Sequence, residues 1–440
     1  LRVHDHPALS RARSHADTVA PLFVLDDRIL GAGYAAPNRL RFLIDSLQDL
    51  RRSLRQRGGE LFVRRGDPVD QAVRLARECH AGAVYCSADV SAYAQRRQQR
   101  LESACSAAGL AFAALPGVTV VPPEALEPSG GDHFKVFTPY WRAWRRTRWR
   151  PVLGAPRSLP CPPGLEAGAI PALAELTGKA PSPELPPGGE AAGRRALSRW
   201  SRHLEGYPAA HDDLAADRTS RLSPYLHFGC LSPRQVAAGA DGRPGGDEWV
   251  RQLCWRDFHH QVLASFPELP RRDYRPRGDT WSGDGDLLEA WRQGRTGYPI
   301  VDAGMRQLKQ EGWMHNRARL VVASFLTKDL YVDWRLGAAH FLDWLVDGDV
   351  ANNSGNWQWV AGTGNDTRPN RVFNPIRQAE RFDPTGAYVR RYLPELAAVE
   401  GRAVHQPWRL DPARRRQLDY PAPLVDHDSA ARRLRETRGR

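Results

Sequence analysis

Cysteine is scarce. The chain has six in 440 residues (Cys79, Cys86, Cys105, Cys161, Cys230, Cys254), irregularly spaced and with no C-x-x-C pair. That spacing excludes a disulfide framework and a zinc site, and the thiols read as inert ones in a reducing cytoplasm. No apolar run approaches the roughly 20 residues that a membrane span needs. The opening LRVHDHPALSRARSH lacks the basic-then-apolar order of a secretory signal, so the expectation is a cytoplasmic protein with no membrane contact. G-x-S-x-G, H-E-x-x-H and G-x-x-x-x-G-K-[ST] are all missing, which removes the ordinary hydrolase, zinc-protease and kinase readings. Acidic residues are outnumbered, 50 against 63 Lys+Arg, for a net charge of +13. Charge of this sign suits a polyanionic partner or simply a basic surface. Tryptophan is absent before Trp141 although the chain holds 14. Two regions with different tasks follow, as the length also suggests at about 100–200 residues per domain.

From Val19 to about residue 121 short apolar stretches alternate with amphipathic ones. VAPLFVL, ELFVRRG, AVYCS and the stretch around Ala111 to Ala114 read as strands, with helical spacing between them. This rhythm predicts a parallel, Rossmann-like α/β sheet domain over 1–125. The first residues read as the loop after a strand, an arrangement in which the opening strand is missing. Gly31-Ala-Gly33-Tyr-Ala-Ala36 matches a loose dinucleotide fingerprint. Its glycines do not turn directly out of a strand, however, so a flexible loop is the better reading. Residues 126–190 read as an interdomain connector, since nine prolines and six glycines fall within 154–190. Phe134 to Pro160 carries seven basic residues and no acidic one around Trp141, Trp144 and Trp149. Interdomain or chromophore packing is favoured over nucleic-acid contact for that segment.

Residues 191–440 read as an all-α domain. Ser223-Pro224 and Ser232-Pro233-Arg-Gln235 look like helix starts, the latter with a capping box, and long helices are expected over Asp247–Ser265 and Pro299–Asp329. In the first of these, Trp249, Gln252, Arg256 and His259 share a face, with Trp255 three residues from Gln252. An amide, a guanidinium and indoles in one stripe suit a planar heterocycle, although an amphipathic helix with aromatic anchors fits the same spacing. A second helix, EGWMHNRARLVVASFLTKDL, groups Trp313, Asn316 and Leu320 beside Arg317 and Arg319. His315 reads as a packed or hydrogen-bonded residue. In LVDGDVANNSGNWQW, Asp347, Asp349, Asn352 and Asn353 precede Trp357 and Trp359 without the spacing of a calcium loop, so no metal is expected. Indoles and amides without an activated nucleophile point to reactivity borrowed from a cofactor.

Five ordered motifs, TSRLSPYLHFG, WRDFHH, TGYPIVDAGMRQL, WMHNR and DGDVANNSGNWQW, resemble the DNA photolyase/cryptochrome family, and bacterial class I cyclobutane pyrimidine dimer photolyases in particular. The resemblance implies an antenna-binding α/β domain and a helical FAD-binding domain, acting as a monomer on ultraviolet-damaged DNA, double- or single-stranded. It implies that Tyr207 and Thr219, Ser220, Arg221, Leu222 and Ser223 contact the flavin phosphates and ribityl chain, with Trp249 lining the same pocket. Arg319 and Asp347 would pair beside the isoalloxazine, Asp349 would contact the ring, and Asn353 would lie near N5. Trp357, Trp334 and Trp281 would relay electrons from flavin to surface. Trp255 and Trp359 would wall the lesion pocket, with Gln252 and Asn316 on the base edges and Arg317 at the DNA backbone. Extrusion and stacking of the target base is what chemistry on a base requires.

The chain departs from many relatives, which have Glu where it has Gln252, Met where it has Leu320 and Arg where it has His211. Gln at that place also resembles the (6-4) photolyases, whereas Asn316 is the dimer-type residue. For the antenna, Arg39 and Asp89 match the 8-hydroxy-5-deazaflavin relatives, which favours that chromophore over methenyltetrahydrofolate, although Ser91 replaces an acidic contact. A cryptochrome-type receptor, a (6-4) photolyase and an Arg/Trp-rich single-strand binder are the alternatives.

Overall fold

Parallel strands cannot be joined by tight turns, and the helices that the pattern demands between them are present in the computed structural model, which describes residues 1–439. Strands β1 (Leu22–Leu25), β2 (Phe62–Arg65), β3 (Ala83–Ser87) and β4 (Ala111–Leu115) form two parallel pairs. Leu22 is opposite Phe62 in one pair and Ala83 opposite Ala111 in the other. Helix Pro37–Arg55 connects β1 to β2 and buries Leu40, Leu47, Leu50 and Leu54, an apolar stripe at helical spacing. Asp67 and Ser91 cap the next two helices, Pro68–Glu78 and Ala92–Ala107. One continuous sheet is the sequence expectation; among the described residues the four strands make two separate two-stranded sheets. The glycine fingerprint is interrupted as expected, because helix Asp27–Gly31 stands between β1 and Gly33.

The chain divides into two compact units, grouped differently from the composition boundaries. The first comprises Leu1–Pro181, Pro186–Glu205 and Ser220–Pro267; the second comprises Ser182–Leu185, Gly206–Thr219 and Glu268–Arg440. Within the first, the proline-rich connector runs against the strands. Val63 donates its N–H to Ala167 O at 2.8 Å, and Gly168, at φ +73°, sits so close that an added Cβ would lie 2.1 Å from Val63 O. Helix Gly246–Ser265 is tied in by Asp257, a fully buried carboxylate. Asp257 Oδ2 accepts from Val120 N (2.9 Å), Val121 N (3.1 Å) and Trp144 Nε1 (3.0 Å). Desolvation pushes this acid up to about 6 against the pull of Arg256 and those donors.

The second unit is helical around one core that includes Trp291, Val301, Met305, Phe325, Trp334 and Trp357. The helix expected over Pro299–Asp329 is two helices, Pro299–Glu311 and Asn316–Ser324, followed by a wider π-type turn at Phe325–Asp329. Gly312, at φ +62°, ends the first by donating to Leu308 O, and His315 Nδ1 starts the second by accepting from Arg317 N at 3.1 Å. The helix read from Glu311 thus begins five residues later. In the first unit, Ser232 caps its helix as expected, accepting from Gln235 N. Ser223 does not cap: it is the first residue of its helix, preceded by Leu222 at the cap position.

Removing the Asp257 side chain strands three buried donors. Asp257→Ala is therefore expected to lower stability by about 3–5 kcal/mol, at ~1–3 per stranded group with partial relaxation. Asp257→Asn, which keeps an acceptor, should lose less than half as much, measured by denaturant unfolding at neutral pH.

Candidate functional site

The expected site residues fall on both units. In the second, Asp347 is buried and its carboxylate is held by Arg319 Nη2 at 2.8 and 3.1 Å. Arg319 Nε is fixed on Met314 O at 2.8 Å. Two residues on, Asp349 caps helix Val350–Ala361, accepting from Asn352 N and Asn352 Nδ2, both at 2.8 Å. The acidic turn is thus bound up in cap and ion pair. One helical turn further, buried Asn353 donates Nδ2 to Ala338 O at 3.0 Å, which leaves its amide oxygen as the acceptor end.

Trp357, another turn along, is buried on Phe341 (ring centroids 4.9 Å), and its indole N–H has no hydrogen-bond partner. Trp334 is fully buried, donates Nε1 to Asp273 at 2.8 Å and carries Arg335 over its ring at 4.8 Å. Trp281 is half-buried and packs on the same hydrophobic cluster. Of the three, Trp357 and Trp334 are buried and only Trp281 reaches partial exposure.

Trp359 is half-buried under the Arg371 guanidinium at 5.6 Å, and Asn316 is exposed at the first helical position. Arg317 is turned inward: it forks onto Asp212 (3.2 and 2.7 Å) and stacks 4.2 Å from the Phe382 centroid. Tyr207 is buried beside His211, and desolvation pushes its phenol up. Thr219 Oγ1 is buried without a hydrogen-bond partner.

In the first unit, Leu222 N donates to Ser220 Oγ at 3.4 Å, and Arg221 stands at φ +50°, a conformation that costs a non-glycine residue about 1–3 kcal/mol. Leu222 is buried and Ser223 exposed. Trp249 is buried against Trp200 (4.3 Å, 32°). Trp255 stacks flat on Phe137 (3.6 Å, 4°) and remains half-buried, with Gln252 exposed one turn before it. The stripe read from spacing is not one surface. Arg256 Nη1 donates to Val118 O at 2.6 Å and His259 is buried, so of the four only Gln252 is exposed. The Arg/Trp segment is internal cation–π packing in part: Arg145 lies 5.6 Å from Trp141 and 5.7 Å from Trp149.

Asp89 lines a cavity of about 580 Å³ together with Gly117, His133, Gln261 and Ser265. Arg39 is not among its lining residues; it is buried and donates to Tyr34 O at 3.0 and 2.7 Å. Sequence reasoning missed Asp212, Asp273 and Trp200, partners far away along the chain that no local spacing signals.

The structure thus combines a sheet-containing unit with a helical unit bearing carboxylate, amide and indole side chains. Residues 249–439 match the family described as FAD binding domain of DNA photolyase, and residues 1–162 match DNA photolyase. A deoxyribodipyrimidine photo-lyase of Streptomyces griseus is 52% identical over 444 residues, covering 100% of this chain and 97% of that one. A bacterial class III photolyase from Agrobacterium tumefaciens matches with a TM-score of 0.92 at 34% identity, over 99% of this chain and 94% of the other. A Synechocystis cryptochrome matches with a TM-score of 0.91 at 32% identity, over 99% and 96%. The chain belongs to the photolyase/cryptochrome family.

The residues present fit FAD. Thr219 offers a buried hydroxyl with no partner, suited to a phosphate or ribityl oxygen, and Asn353 offers a fixed amide acceptor. Asp347→Ala leaves Arg319 without its carboxylate and should raise the Kd for FAD at least about tenfold, the equivalent of ~1.4 kcal/mol. Flavin fluorescence titration of the apoprotein reads this directly, with Asp347→Asn intermediate.

Proposed function

We propose that the protein is a light-dependent deoxyribodipyrimidine photo-lyase that splits cyclobutane pyrimidine dimers in DNA using FAD. Bound FAD would supply the redox chemistry, a light-driven one-electron transfer to the dimer and its return. The chain's own residues bind, orient and exclude water. Arg319 and Asp347 hold a fixed charge pair, and Asn353 presents a neutral acceptor whose state does not change with pH. Trp255, stacked on Phe137, stays partly exposed and suits stacking on an extruded base, and Gln252 and Asn316 are exposed amides suited to pyrimidine edges. The net charge of +13 favours a polyanion and makes binding fall steeply with salt.

The observation that carries this reading is that exposed amides and buried indoles stand on helices that match an FAD-binding domain. The test is loss of dimers from irradiated oligonucleotides under blue light with reduced protein, run beside (6-4) substrate; no repair above the dark control defeats it. A second reading, a cryptochrome-type receptor, is favoured by the similarity to the Synechocystis protein; FAD photochemistry without repair of either lesion would support it. For the antenna, we favour 8-hydroxy-5-deazaflavin over methenyltetrahydrofolate, with the Asp89-lined cavity as support. Reconstitution with each chromophore separates the two.

Trp357, Trp334 and Trp281 carry electrons inward on this reading. Trp357→Phe should slow flavin photoreduction by more than about tenfold, with a far smaller effect on repair by chemically pre-reduced protein. Equal loss of both would contradict the relay.

A further inference from the structure

We propose that Tyr331 is the outermost electron donor of the relay: it reduces oxidised Trp281 and passes its phenolic proton to Asp279. This rests on the reading of Trp281 as a relay residue. The two rings are in contact, with centroids 5.1 Å apart at 44°. A phenol is readily oxidised at neutral pH only if its proton can leave as the electron does, and the phenol O–H of Tyr331 donates to Asp279 Oδ1 at 2.8 Å.

That acceptor is built into the fold. The Asp279 side chain is 2% exposed and is clasped by Arg438, with Nε on Oδ1 at 2.8 Å and Nη2 on Oδ2 at 2.6 Å. Burial and the hydrogen bond to Asp279 hold the Tyr331 phenol up at about 12, so at rest it keeps its proton and gives it up only on oxidation.

One further observation makes Trp281 a poor resting place for a positive charge and Tyr331 a better one. The Arg438 guanidinium lies 5.9 Å from the Trp281 ring, where its charge disfavours a cationic indole. Loss of the proton from Tyr331 instead leaves a neutral ring. The fold also fixes Tyr331 in place: it stands at φ +56°, a region that bulky side chains rarely occupy. The bond from Ser282 N to Tyr331 O (2.7 Å) and the Ser282–Val332 bridge hold it there, locking the segment that follows Trp281 to the one that carries Tyr331.

The step balances as follows. The electron vacancy that reaches Trp281, after light-excited oxidised flavin has drawn an electron through Trp357 and Trp334, is filled by one electron from Tyr331. The O–H bond breaks, the proton moves to the Asp279 carboxylate, and a neutral phenoxyl remains. Tyr331 is half-buried, so a small thiolate in solution can supply the electron that restores it, becoming a thiyl radical, while the proton returns from Asp279.

The test is flash photolysis of FAD-loaded, oxidised protein without added reductant, followed by electron paramagnetic resonance of the protein radical. Wild-type protein should give a phenoxyl signal whose formation slows in D2O. Tyr331→Phe should give an indole signal in its place, lose the D2O effect, and shorten the lifetime of the separated charges by about tenfold or more. Tyr331→Trp, which keeps an oxidisable ring, should restore the lifetime but not the isotope effect. A phenoxyl signal that survives in Tyr331→Phe, or a wild-type signal that is indole only, overturns the proposal. Trp281→Phe separates the two readings: loss of long-lived charge separation there with no effect of Tyr331→Phe removes Tyr331 alone, whereas no effect of Trp281→Phe removes the relay reading beneath it.

Discussion

A carboxylate stripped of water needs a cation or several hydrogen-bond donors, and the Asp347–Arg319 pair is the contact on which the helical part of the site depends. It joins helix Asn316–Ser324, which carries Arg319, to the turn that launches helix Val350–Ala361. Arg319 cannot swing away, because its Nε is committed to Met314 O. The same turn is pinned by Val346 N donating at 2.8 Å to the carbonyl of Gly312, the glycine that separates the two preceding helices. With the turn fixed and Asp349 capping, the residues four and eight positions on, Asn353 and Trp357, follow on one stripe of the helix. Amide and indole positions are thus consequences of one ion pair and one cap.

The tryptophans of the proposed relay differ in what surrounds them more than in what they are. Trp357 is buried among apolar rings with its N–H unpaired, while Trp334 has both a carboxylate on its N–H and a guanidinium over its face. Trp281 faces a guanidinium and a tyrosine. An indole whose N–H meets a carboxylate tolerates positive charge better than one without, whereas a nearby guanidinium opposes it. The environments thus grade from neutral inside to charged outside, and the only proton acceptor described for the outer pair belongs to Tyr331.

Local pattern was legible where physics is local. Strand positions, the apolar stripe of Pro37–Arg55 and the Ser232 cap follow from spacing and hydrogen-bonding chemistry, and the five motifs carried the family. Continuous apolar periodicity hid the break at Gly312, since the spacing on either side of a left-handed glycine is nearly unchanged. The stripe on Gly246–Ser265 was over-read for a related reason. Periodicity gives the angle of a side chain about the helix axis, not what waits there, and Val118 O waits for Arg256. The inward turn of Arg317 depends on Asp212, 105 residues away, which nothing in WMHNR announces. Composition likewise marked 154–190 as irregular without showing that Gly168 brings that segment against β2.

On the proposed reading, lesion selectivity cannot come from the two exposed amides alone. Gln252 and Asn316 each offer a donor and an acceptor, so either can satisfy a pyrimidine edge in more than one orientation, and neither changes charge with pH. A carboxylate at the place of Gln252 would reward a protonated or strongly donating edge; the amide forgoes that discrimination. Shape then has to supply it. Trp255 has one face occupied by Phe137, and Trp359 is flanked by the Arg371 guanidinium. Two rigid indoles, each with one side already taken, accept stacked rings in far fewer arrangements than freely exposed ones would. The two bases of a cyclobutane dimer lie nearly face to face, whereas those of a (6-4) product are nearly perpendicular, so on that reading stacking on such restricted indole faces, more than the amides, would tell one lesion from the other.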